Sequence, residues 1–160
     1  MNLPKVKFKE MTLKENIEII KWAYYEQNDS LNVHDYTIKF FPKLANLDNK
    51  LSQEEVYKKI EEVVTETYQK QKEEIKKEAE KYNFLWEDIN DKYMLELSNY
   101  LRVNWPNNID IIEGSVGIIP IFPRYLDNFS FSIGTSIEKA NLIEICAHEI
   151  LHFLWFEKWK

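Results

Sequence analysis

Cysteine is almost absent from this sequence: Cys146 stands alone in 160 residues. One thiol excludes an internal disulfide and predicts a reducing, cytoplasmic compartment. Long apolar runs are missing too. None approaches the roughly 20 residues that a membrane-spanning helix needs. The stretch from Met1 to Trp22 mixes lysine with glutamate and has no apolar core of the kind that secretory signals carry. Positive charge is not in excess, with a formal net charge of −6 and a pI near 5.2. That balance speaks against nucleic-acid and membrane-surface partners. Glycine is scarce, and Gly114, Gly117 and Gly134 all fall late in the chain. No repeat, low-complexity segment or linker is visible.

What is present is enough for a core. The hydrophobic share is 44%, and 160 residues is the size of one domain. Residues 1–160 are therefore read as a single domain, mainly helical over 1–104, with a small sheet and a last helix over 105–160. Aromatic residues beside prolines (Phe40-Phe41-Pro42, Trp105-Pro106, Phe122-Pro123) read as core and loop anchors.

Leu3 to Met11 alternates apolar and basic residues and predicts a short strand. Thr12 and Glu15 form a capping box that opens a helix to about Tyr25, with Leu13, Ile17, Ile20 and Tyr24 on one face and a stop over Gln27 to Ser30. Leu31 to Phe41 suggests a short helix ending before Pro42. Ser52 and Glu55 form a second capping box. The helix it opens runs to about Lys81 on a stripe of Val56, Ile60, Val63, Val64, Ile75 and Ala79. After a break near Asn83, another runs to Val103 on Trp86, Ile89, Tyr93, Leu97, Tyr100 and Leu101. These two are expected to form a long antiparallel pair, which could also serve a helix-mediated partner. Ile109 to Glu113, Val116 to Phe122 and Asn128 to Ile133 read as short strands with turns at Glu113-Gly114-Ser115 and Pro123 to Asp127. Pro120 marks the middle strand as an edge. The expected fold is α+β: an N-terminal helical layer with a long helix pair, a small, mainly antiparallel sheet, and a buried C-terminal metal-binding helix.

That last helix carries the chemistry. Asn141 is the favoured start, and Leu142, Ile145, Ala147, Ile150, Leu151, Phe153, Leu154 and Phe156 make it apolar nearly all round, as for a buried helix. Within it lies His148-Glu149-Ile150-Leu151-His152. Histidines four apart share one helix face, so both imidazoles can reach one metal ion. Glu149 is rotated about 100° from His148 and is placed to act on a water rather than as a ligand. This H-E-x-x-H spacing is that of zinc hydrolases. His148 and His152 are the expected metal ligands, Zn2+ the expected cofactor, and Glu149 the general base toward a zinc-activated water. His34 is the remaining histidine and the weaker candidate for a third ligand. Cys146 reads as a small core residue.

Ile145 to Leu154 resembles the active-site helix of the zincin metallopeptidases, and the strands-then-helix order before it is similar to that superfamily's N-terminal subdomain. The resemblance implies zinc on His148 and His152, Glu149 as base, and an edge strand that holds a peptide or protein substrate by β-augmentation, here assigned to Val116 to Phe122. Trp155 stands where the metzincin pattern needs glycine, so the likeness is closer to the gluzincins, whose third ligand is a glutamate on a later helix. Glu157 is half a turn out of phase with His148. The chain is therefore expected to be the N-terminal portion of a longer zincin domain whose remainder supplies the third ligand and the oxyanion-stabilising group. The motif fixes the water chemistry and not the substrate. A zinc hydrolase of non-peptide amides or esters, and a non-catalytic helical interaction protein with a structural metal site, stand as the alternatives.

Overall fold

The computed structural model describes residues 3–26, 32–119, 121 and 123–159. Among these residues four helices and a small mixed sheet make an α+β fold. The helices are α1 (Leu13–Tyr25), α2 (Val33–Phe40), α3 (Gln53–Leu101) and α4 (Lys139–Glu157). The strands are β1 (Lys5–Glu10), β2 (Ile111–Gly117), β3 (Arg124–Tyr125) and β4 (Ser130–Gly134). Contacts divide the chain into two compact units, residues 1–10 with 74–160, and residues 11–73.

The 11–73 unit holds α1, α2, a 3-10 turn over Pro42–Leu44 and the first part of α3. Both predicted capping boxes form: Thr12 with Glu15, and Ser52 with Glu55. Each satisfies backbone N–H groups that a helix start leaves open. The buried face of α1 is Asn16, Ile19, Ile20, Ala23 and Tyr24, turned from the predicted stripe because Asn16 goes inward to donate to the Met11 and Thr12 carbonyls. Gln27 to Ser30, the predicted stop of α1, lies outside the described residues.

The expected helix pair is instead one helix. Asn83, read as a break, continues α3 without interruption. No glycine or proline occurs between Gln53 and Leu101, so nothing forces the chain out of helical geometry. The helix ends in a Schellman motif. The Val103 N–H donates to Ser98 O, the Arg102 N–H donates to Asn99 O, and Arg102 takes a left-handed φ of 56° in place of the usual glycine.

In the other unit the strand order is β1-β2-β4-β3. β1 and β4 both run parallel to β2, and only β3 is antiparallel to its neighbour. The sheet is thus mostly parallel where a mainly antiparallel one was expected. Glu113-Gly114-Ser115 is not a turn but the middle of β2. Gly114 lies in register with Phe8 of β1 on one side and Phe131 of β4 on the other. Their rings meet edge to face, centroids 6.1 Å apart, and Phe8 meets Tyr82 of α3 in the same way at 5.7 Å. A Cβ on Gly114 would stand 2.6 Å from the Phe8 ring. The glycine therefore serves ring packing rather than chain reversal. β4 is buried on both faces, serines included, as strands with a neighbour on each side usually are.

The outer edge of β1 is closed by side chains. Asn90 Oδ1 accepts from the Val6 N–H at 3.0 Å, and its Nδ2 donates to Pro4 O at 3.1 Å. Asn83 Oδ1 accepts from the Phe8 N–H at 2.9 Å, and its Nδ2 donates to Phe8 O at 2.8 Å. Exposed strand edges recruit other strands. Here two carboxamides seven residues apart, on one side of α3, supply the donors and acceptors that a neighbouring strand would bring.

Candidate metal and acid–base site

α4 begins at Lys139, two residues before the expected start, with Glu138 as its N-cap. Two tyrosines of α3 hold it. Tyr82 accepts from the Ile137 N–H at 3.1 Å and donates to Gly134 O at 2.9 Å, fixing the passage from β4 into the helix. Tyr93 donates to Ala147 O at 2.6 Å, one residue before His148. Burial pushes the Tyr93 phenol up to about 12, so it stays a donor at neutral pH.

The helix is not buried all round. Leu142, Cys146, Glu149, Ile150, Phe153 and Leu154 face the core, with the Phe153 ring 5.5 Å from that of Phe129. His148, Trp155 and Phe156 are exposed, and His152 is half-buried. The apolar character of this helix exceeds what one packed face needs, which is why its pattern read as fully buried.

The two histidines come together as their spacing predicts. His148 Nε2 and His152 Nε2 are 3.0 Å apart, with rings nearly perpendicular at 82°. Zinc–imidazole bonds are about 2.0–2.1 Å. Two nitrogens closer than twice that length can both reach one ion. Burial first, then the Arg124 and His148 charges, lower the His152 pKa, with Glu149 opposing. A lowered pKa keeps the imidazole neutral, the form that binds metal. The donor pair thus fits zinc as two ligands. Among the described residues no group of three or more His, Cys, Asp or Glu is gathered in metal-binding range.

Glu149 lies on the inner side of α4, only 5% exposed. Its Oε2 accepts from Arg124 Nη1 of β3 at 2.8 Å. Sequence reasoning missed Arg124, which it placed in a turn. Its one available signal was rarity: Arg102 and Arg124 are the only arginines in a chain of 21 basic residues. Tyr82 and Tyr93 were also missed: Tyr82 fell in the expected break near Asn83, and Tyr93 read as part of a core stripe.

The other candidates are placed elsewhere in the chain's chemistry. His34 belongs to α2 in the 11–73 unit, where its Nδ1–H donates to the Tyr24 carbonyl. Cys146 is fully buried; burial and then the Glu149 charge drive its thiol pKa well upward, so it remains a protonated core residue. The edge assigned to Val116 to Phe122 is overturned. Val116 and Gly117 end the inner strand β2, Val116 paired with both β1 and β4 and Gly117 with β4, while Pro120 and Phe122 lie outside the described residues. The outer strand beside Glu149 is β3. No protein-family model matches the chain, and neither a curated protein nor a solved structure matches it.

Proposed function

We propose that this chain is a zinc-dependent peptidase. The observation that carries the reading is the pair of Nε2 atoms 3.0 Å apart on the outer face of α4, with the buried carboxylate of Glu149 on the residue after the first histidine. His148 and His152 would hold the ion. When bound, zinc supplies Lewis acidity, polarising a carbonyl and making water more acidic. Glu149 takes a proton from the attacking water and gives it to the leaving amine. β3, rather than Val116 to Phe122, is the strand on which an extended peptide would align. Such a strand lies within reach of Glu149 through Arg124. No helix among the described residues is long and apolar enough to cross a membrane, and the lone reduced cysteine suits a cytoplasmic setting.

The shortage of a third donor among the described residues favours a second reading, in which the pair binds metal without turnover. Glu149→Gln separates the two. Under the first reading it lowers peptide hydrolysis by about 10²–10⁴-fold while zinc content is retained. Hydrolysis at the wild-type rate in this variant rejects Glu149 as the base.

A further inference from the structure

Among the described residues Arg124 is the one cation paired with the buried acid of this site. Its side chain is 35% exposed, while the Glu149 side chain is 6% exposed. The contact is one-sided: Nη1 reaches Oε2 at 2.8 Å. A buried carboxylate without a partner is costly, and a guanidinium gives directional hydrogen bonds that a flexible ammonium does not. Arg124 comes from β3, the outer strand of the sheet, while Glu149 comes from α4. The bond therefore joins the strand proposed to align substrate to the residue proposed to move the proton.

We infer that Arg124 is a positioning residue for Glu149. It holds Oε2 and so fixes Oε1 as the oxygen that receives the proton, and ties the carboxylate's orientation to β3. The inference rests on the proposed peptidase reading. In the step concerned, the water O–H bond breaks as oxygen bonds to the carbonyl carbon. Oε1 keeps that proton and gives it to nitrogen as the C–N bond breaks. Nothing is oxidised or reduced.

Two measurements test it together on the full chain. The first is a thermal-unfolding cycle of wild type, Arg124→Ala, Glu149→Gln and the double variant. The pair predicts non-additive shifts, with the double variant unfolding close to Glu149→Gln alone. Additive shifts overturn the contact. The second is zinc content and peptide kinetics. Arg124→Ala is expected to bind zinc as wild type does and to lose about 10–100-fold in kcat, the scale of a misplaced catalytic group, with KM little changed. Arg124→Lys regains part of kcat, and added guanidinium ion restores part of it to Arg124→Ala. Wild-type kcat in Arg124→Ala, or loss of zinc with it, overturns the positioning role. A wild-type chain that takes up zinc and hydrolyses nothing overturns the peptidase reading and the role with it. The unfolding cycle still distinguishes that failure from an absent ion pair.

Discussion

Tyr93 shows how a single side chain can serve a site it does not touch directly. Its hydroxyl holds the Ala147 carbonyl, so the turn that presents His148 is tied to α3. The folded protein favours the neutral phenol, whose pKa is raised from 10.0 to about 12 by burial. A raised folded-state pKa gives stability that is complete below the unfolded value and is lost as pH rises through the folded one. The window is therefore about pH 10 to 12. Tyr93→Phe is predicted to remove that part of the alkaline loss. Near neutral pH it should also cost about 0.5–1.5 kcal/mol, the net value of one hydrogen bond. Urea unfolding at pH 8 and pH 11 checks both, and an unchanged alkaline slope in the variant contradicts the assignment. None of this was readable from sequence. Tyr93 was one of several aromatics on a helical stripe, and its partner is a backbone carbonyl 54 residues away. The histidine pair, by contrast, is a local i,i+4 relation, and it was legible for that reason.

Among elements, the helices were legible where their signals were local. The capping boxes at Thr12 and Ser52 placed the starts of α1 and α3. The stripe from Val56 to Ala79 is buried throughout. Tyr100, at the far end of the second stripe, is 84% exposed. What failed depended on non-local pairing. Gly114 looked like a turn because its reason for being glycine lies in two other strands. Gly114→Ala is expected to cost about 1–3 kcal/mol through overpacking against the Phe8 and Phe131 rings. Chemical denaturation measures this, and a variant as stable as wild type refutes the packing account. Asn83 looked like a helix break for the same reason, since its use as a strand surrogate needs β1 alongside. Asn83→Ala should expose the Phe8 amide to faster hydrogen exchange and Asn90→Ala the Val6 amide, each read by NMR. Unchanged protection at both amides means that the carboxamides do not close the β1 edge.

At the scale of the whole molecule, the residues of the candidate site fall within one compact unit. His148, Glu149, His152, Arg124, Tyr82 and Tyr93 all belong to the unit of residues 1–10 and 74–160. His34 belongs to the 11–73 unit, where its Nδ1 is engaged by a carbonyl. The α+β class was visible from the order of patterns along the chain. Sheet order was not, because β1 joins the sheet from the far end of the sequence, and parallel partners leave no hairpin signal between them. The central claim is that α4 carries a metal-binding histidine pair, and elemental analysis of the purified chain tests it most directly. Near one equivalent of zinc in the wild type, lost in the His148→Ala/His152→Ala double variant, is the predicted result. No zinc in the wild type, or the same content in both proteins, contradicts it.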